Sequence, residues 1–440
     1  MNNNLTTILN IINEIENRRK QFIIQKDDII APGIENLGVT CFHNAATQLF
    51  YRIVELRDFL SNDKIYNQYP LTFKVGSQNL DNPFRKWLEI LRIMKNTTES
   101  YIKKEKILTI VPTACNVIFS GSSIQQDSQE FLSKMIDFMT CTKATEGIND
   151  RGRRKINCDA NISEKKLGYN DPRTFLNIIS EDHLCDIGII IDKSEFLSKL
   201  KDISKGYQNA KDKHDIRWEK EEFDDNKFEQ YIKTNIKTLD IQSKKCTNYI
   251  LRDDPKITQI LKIELDNNTT KSISELIEDM RFPQTDAYSQ SEIKNKNKYK
   301  IVVKRFNYKP NKYLIIHLNI FETIIIPGAS PIYNKKDHHI KLADENGEFV
   351  FKYLDNKIEK QKTYELIGMV NQFGSLTGGH YTAHIKYNNV WYEYNDRERT
   401  KKNDITQAYS SAYLVLYREK NIDPIETIDI NNVLDKLEEY

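Results

Sequence analysis

The chain has 440 residues, and its 65 lysines and arginines against 63 aspartates and glutamates leave a net charge of +2. That balance gives no general attraction to nucleic acid, and no apolar run is long enough to span a bilayer. The length suits one large domain with sub-lobes, or two or three small ones. The six cysteines are spread singly with no secretory signal before them, which points to free thiols in an intracellular, reducing compartment, cytoplasmic or nuclear.

Residues 1–31 read as a helical extension. Leu5, Ile8, Leu9, Ile11, Ile12 and Ile15 make an apolar stripe that is expected to dock on the rest of the chain, with partner binding as the sharper alternative. From Pro32 a glycine-bearing turn leads into Thr40 and Cys41. Phe42, Ala45, Ala46, Leu49, Ile53, Leu56 and Leu60 then recur mostly three or four apart, which predicts a helix. Thr40 is the predicted N-cap, so Cys41 opens the first turn, where free N–H groups and the helix dipole favour a thiolate. Taken in isolation, Cys41 reads first as a buried structural cysteine; the residues around it and a stretch near the C-terminus reverse that reading. Phe84, Trp87, Leu88, Leu91 and Ile93 predict a second helix, and Phe131 to Met139 a third. Asp127 and Glu130 form a capping-box pattern at the start of the third.

Residues 143–172 are polar and read as a loop; residues 200–236 alternate charges and read as a charged helix or an insertion. Strands are predicted over 257–265, 299–308 and 312–322, with a short helix over 272–280. His317 lies inside an apolar run and reads as a core histidine, while Asp337, His338 and His339 fall in a predicted loop. Residues 420–440 read as a helical tail.

The C-terminal part carries the clearest local geometry. Residues 381–387 and 390–394 alternate as strands around Asn388-Asn389, a dipeptide suited to a two-residue hairpin turn. In that register His380, Thr382 and His384 share a face with Trp391, Glu393 and Asn395. His380 and Asn395 become diagonal neighbours with Cβ atoms about 7–8 Å apart or somewhat less, close enough for an imidazole to meet a carboxamide. The same register sets His384 opposite Glu393, a rival histidine–acid pair. A thiol at a helix start, an imidazole and a group that orients it are what a cysteine peptidase needs.

Three segments carry a family resemblance. NLGVTCFHN (36–44) is similar to the cysteine box of the ubiquitin-specific proteases, usually written GLxNLGNTCYMN. GSLTGGHYTAHIKYNNVWYEYND (374–396) is similar to their histidine box, and IQQDSQEFL (124–132) resembles their glutamine-rich helix start. The resemblance implies a papain-like α+β fold with a catalytic domain over 32–419. A helical thumb would cover 32–142, insertions and a peripheral fingers region 143–311, and a β-rich palm 312–419. It implies hydrolysis of isopeptide or peptide bonds at the C-terminal glycine of ubiquitin. Cys41 would be the nucleophile, His380 the acid–base and Asn395 its orienting group. Asn36, with the Cys41 backbone, would stabilise the oxyanion, and Asp396 would support the site; a turn-forming Asn36 is the alternative. Gln125, Asp127, Glu130, Gly379 and Tyr381 match positions that contact ubiquitin. The implied partner is ubiquitin or its conjugates, a monomer is expected, and no cofactor is needed.

The departures are also specific. Val39 stands where the family often has Asn, His43 replaces a usual Met, and Ala45 a usual Ser. Gln372 replaces a frequent His, and Asn319-Ile320 a common Lys-Arg. Many members carry two CxxC pairs that bind zinc; this chain has none, so a fingers lobe without structural zinc is expected. Two alternatives stay open: a protease for another ubiquitin-like modifier, and a catalytically silent ubiquitin-binding module.

Overall fold

The computed structural model describes residues 29–119, 125–141, 144–148, 154–158, 176–192, 250–251, 255–281, 284–289, 298–324, 332–355, 358–375 and 378–420. The predicted N-terminal helix, the charged stretch over 200–236 and the tail beyond residue 420 lie outside these residues.

The helical lobe is built around α1 (Cys41–Tyr51), every residue of which is buried. Its polar side chains therefore need partners inside the protein. Thr47 donates to the His43 carbonyl (2.7 Å) and accepts from the Trp87 indole (2.9 Å), while Gln48 donates to the Pro32 carbonyl (2.7 Å). The predicted continuous helix is broken: α1 stops at Tyr51, and α2 (Val54–Leu60) starts after Ile53, whose ψ of 85° is not helical. Three longer helices follow, α3 (Pro83–Asn96), α4 (Ile110–Phe119) and α5 (Ser128–Phe138), beside the four-residue helices Asp63–Tyr66 and Lys104–Ile107. The Asn82 side chain caps α3 by accepting from the N–H groups of Phe84 and Arg85 (3.0 and 3.3 Å), with Pro83 at the first position. Asp127 caps α5 as expected, accepting from the Glu130 N–H at 2.8 Å.

Part of the segment read as a polar loop forms a strand pair, Ala144–Ile148 with Arg154–Cys158. Beyond it, a long strand β1 (Ile178–Asp192) joins a five-stranded sheet. The palm is an eight-stranded sheet. Its strands are β2 (Ile260–Glu264), β3 (Tyr313–Asn319), β4 (Glu348–Asp355), β5 (Ile358–Phe373), β6 (His380–Tyr387), β7 (Val390–Asn395), β8 (Glu398–Lys402) and β9 (Ala412–Glu419). They run in the order β2-β3-β9-β5-β6-β7-β8, with β4 paired to β5, and only β2 with β3 is parallel. The helix predicted over 272–280 is α6 (Ile273–Arg281).

Helix α1 lies against β5 and β6. Gly368 permits the close approach, since a Cβ there would stand 3.0 Å from a Leu49 methyl and 3.2 Å from one of Ile385. The lobes are also tied by Glu55 of α2, which accepts from Lys312 Nζ and the Tyr313 hydroxyl. Burial alone would raise this carboxyl, but the Lys312 charge and the two hydrogen bonds hold it below its ordinary value. The first turn of α1 thus sits at the junction of helical lobe and palm.

Candidate active site

Cys41 opens α1 and is 4% exposed. Thr40 is its N-cap by position, yet the Thr40 side chain does not cap. Instead, Asn36 Oδ1 takes the N–H of Gly38 (2.8 Å) and of Thr40 (3.1 Å), and Thr40 Oγ1 donates to the same oxygen and accepts from the Leu37 N–H (3.0 Å). Asn36 is therefore the turn former of this loop, and Gly38 takes the left-handed φ of +108° that the turn requires. Its amide nitrogen points elsewhere, donating to Asp396 Oδ2 at 2.9 Å.

The palm hairpin has the expected register, Tyr387 with Val390 and His384 with Glu393. Asn388 and Asn389 both have positive φ, 49° and 61°, the pattern of a type I′ turn. The hairpin brings His380 Nε2 to 2.8 Å from Asn395 Oδ1. A carboxamide oxygen only accepts, so Nε2 carries the proton and Nδ1 is left to face the thiol. The ring pKa is pushed up to about 9, first by its hydrogen bond with Cys41, then by Asn395 and the Cys41 and Asp396 charges, against the opposing effect of burial.

The rival pair does not form. His384 Nδ1 meets Asn371 Oδ1 at 2.8 Å, Glu393 pairs with Lys402 at 2.7 Å, and burial lowers the His384 pKa to about 4. His317 is the expected core histidine, 6% exposed and edge-on to the Tyr413 ring at 4.8 Å.

The residues carried over as substrate contacts fall into two groups. Gln125 and Asp127 are half-buried and Glu130 is exposed; the last two, with Lys262, Glu264, Phe321 and Tyr413, line a cleft of about 590 Å³. The Tyr381 ring is 1% exposed, so its side chain is part of the frame and not of the surface. Its hydroxyl and that of Tyr413 donate to Asp127 Oδ2, at 3.2 and 2.6 Å. Burial and the Asp127 charge push both phenols well above their ordinary pKa. Gly379 is needed by the loop itself, since a Cβ there would lie 2.3 Å from the Phe373 carbonyl oxygen. Gln372, which precedes this turn, holds it by donating to the carbonyls of Phe373 (3.1 Å) and Ser375 (2.9 Å). Among the described residues, no three His, Cys, Asp or Glu side chains are grouped to hold a metal ion, and no helix is long and apolar enough to cross a membrane.

The helical lobe and the antiparallel sheet make a papain-like α+β fold, and at their junction stand a thiol at a helix start, an imidazole beside it and a carboxamide behind the imidazole. The family model described as ubiquitin carboxyl-terminal hydrolase matches residues 32–417, and the chain belongs to that family. It is 23% identical to ubiquitin carboxyl-terminal hydrolase 4 of Saccharomyces cerevisiae, over 88% of this chain and 39% of the yeast protein. It is 33% identical to ubiquitin carboxyl-terminal hydrolase 9 of Arabidopsis thaliana, over 19% of this chain and 10% of that protein. The chain thus spans well under half the length of these relatives. Among solved structures, the SAGA Ubp8/Sgf11/Sus1/Sgf73 DUB module bound to ubiquitin aldehyde matches with a TM-score of 0.55 at 16% identity, covering 90% of this chain and 71% of the matched one. That likeness shows the fold.

Proposed function

We propose that the chain is a thiol-dependent hydrolase that cleaves isopeptide or peptide bonds after the C-terminal glycine of ubiquitin. The observation that carries this reading is His380, bonded through Nε2 to Asn395 and through its thiol-facing side to Cys41. Nδ1 takes the thiol proton, and the thiolate adds to the glycine carbonyl carbon. The Cys41 N–H and the Asn36 amide receive the oxyanion; losing one such donor typically costs about 10²–10³ in rate. His380 then delivers its proton to the leaving amine, and a thioester remains. Water, activated by His380, opens the thioester and returns the thiol. Asn395 carries no charge, so it contributes orientation rather than electrostatic stabilisation.

Ubiquitin as the modifier is supported by family membership and by the solved structure of a similar fold holding ubiquitin aldehyde. Gln125, Asp127 and Glu130 then contact the arriving tail, and Gly379 lets the chain ahead of His380 pack tightly. Tyr381 acts indirectly, by holding Asp127.

The test is labelling by a ubiquitin probe with a C-terminal thiol-reactive group, comparing wild type with Cys41→Ala and with matched SUMO and Nedd8 probes. A ubiquitin adduct on wild type alone is the expected result. An adduct with another modifier keeps the chemistry and changes the substrate. A folded wild type that reacts with none of the probes leaves a silent binding module.

A further inference from the structure

Three parts of the site meet at one carboxylate. Asp396 follows Asn395 and takes a left-handed φ of 53°, so its side chain turns back toward the helical lobe. Its Oδ2 accepts from Asn36 Nδ2 at 2.9 Å and its Oδ1 from Asn44 Nδ2 at 2.8 Å, while its backbone carbonyl accepts from the Ile34 N–H at 2.9 Å. The chain at Gly33 passes directly over the next residue: a Cβ there would lie 2.3 Å from the Arg397 carbonyl oxygen.

Asn44 stands three residues after Cys41 on α1 and is 3% exposed. Its amide nitrogen donates both to Asp396 and to the Ile34 carbonyl (3.1 Å). Its oxygen meets His43 Nδ1 at 3.1 Å. With the nitrogen committed twice, the oxygen must accept, so His43 donates from Nδ1 and locks the amide against flipping. His43 is fully buried, and burial lowers its pKa to about 4, so it is neutral at ordinary pH. A buried, neutral donor thus fixes Asn44, Asn44 fixes Asp396, and Asp396 takes one N–H of Asn36.

We propose that Asn44, locked by His43, is a positioning residue that holds Asp396 and through it aims the second N–H of Asn36 at the oxyanion. This rests on the reading of Asn36 as an oxyanion donor. An acceptor on one amide hydrogen leaves the other with a fixed direction, and a preorganised donor stabilises developing charge without reorganising. The role of Asp396 is then toward Asn36 and α1, while Asn395 alone orients His380.

The experiment compares hydrolysis of a ubiquitin C-terminal amide with alkylation of Cys41 by iodoacetamide, which forms no oxyanion. Asn44→Leu is expected to lower kcat about 10- to 100-fold, approaching the loss of an oxyanion donor. KM and the alkylation rate should stay within about twofold. Asn36→Ala should lower kcat at least as far, and the double variant should be no slower than Asn36→Ala. Asn44→Ser repeats the test if Asn44→Leu does not fold. Equal losses in kcat and alkylation, or losses that multiply in the double variant, would make Asn44 merely structural and overturn the proposal. If Asn36→Ala leaves kcat unchanged, the oxyanion reading of Asn36 fails and takes the proposal with it. If wild type hydrolyses no modifier amide, the functional reading itself falls, and this inference with it.

Discussion

His380 and His384 stand four residues apart on one strand, and each meets an asparagine carboxamide oxygen at 2.8 Å. Their titrations nonetheless diverge: His380 is pushed up to about 9 and His384 down to about 4. The shared partner type cannot explain the difference. His380 sits at the strand end beside a thiol that favours its charged form, whereas His384 lies inside the sheet, where burial opposes charge. The neighbouring sulfur is thus the first cause of the raised His380 pKa, and the Asn395 amide adds to it.

Exchanging the two positions gives the largest expected contrast. His380→Ala should lower kcat/KM by about 10²–10⁴, the scale of a general acid–base. His384→Gln should leave kcat/KM within a few-fold, yet cost stability, because Asn371 loses a well-placed partner; roughly 1–3 kcal/mol is the scale for an unsatisfied buried group. Parallel kinetics and urea melts check both. A His384 variant as inactive as the His380 variant would dissolve the contrast.

A direct titration sharpens the same point. The His380 ring holds its second proton below about pH 9 and loses it as pH rises through that value. The basic limb of kcat/KM should therefore fall near pH 9. Its contribution to stability has the same sign: a raised folded pKa stabilises fully below the ordinary value near 6.5 and fades as pH rises through about 9. In NMR, Cys41→Ala should drop the His380 pKa toward 6.5 and leave His384 near 4. A His380 titration indifferent to Cys41 would remove the thiol as its main cause.

Asn395→Asp asks a smaller question. A carboxylate in place of the amide adds a charge without moving the hydrogen bond, so His380 should titrate higher and the basic limb should move up in pH. The expected change in kcat/KM at neutral pH is within about tenfold, because general acid–base assistance is kept.

These contrasts show what the sequence could disclose. The hairpin register was legible because Asn388-Asn389 can adopt the two positive φ values of a tight turn, and alternation then aligns His380 with Asn395. The Asp127 cap was legible for the same local reason. The Thr40 cap was not, because the Thr40 hydroxyl is taken by Asn36 Oδ1 and the Leu37 N–H, both upstream of the helix. The break between α1 and α2 was hidden by Ile53, Leu56 and Leu60, which continue the helical spacing across it. Helix α4 falls in the stretch read as the helical thumb but was given no bounds; Pro112 lies in its first turn, where its missing N–H costs nothing. The meeting of Asn36 and Asn44 on Asp396 spans more than 350 positions, and no local pattern encodes it. Nor could a motif distinguish a Tyr381 that touches substrate from one that is buried and holds Asp127.

The buried histidines extend the comparison to the whole fold. His43, His317, His338 and His384 are each lowered to about 4, first by burial. An unfolded histidine titrates near 6.5, so between about pH 6.5 and 4 the unfolded chain binds protons that the folded chain refuses. Stability should therefore fall as pH drops through that window, in the opposite sense to the His380 effect at high pH. His43→Met tests one member. It removes one donor to Asn44, with a cost of about 0.5–1.5 kcal/mol near pH 8. It also removes one titrating group, so the acid slope of stability should become shallower. At pH 8 the variant is then the less stable protein, and near pH 4 the gap should shrink or reverse. Urea melts at the two pH values decide it: a gap that widens toward acid would mean that His43 is charged in the fold, and that Asn44 is held by something other than a neutral imidazole.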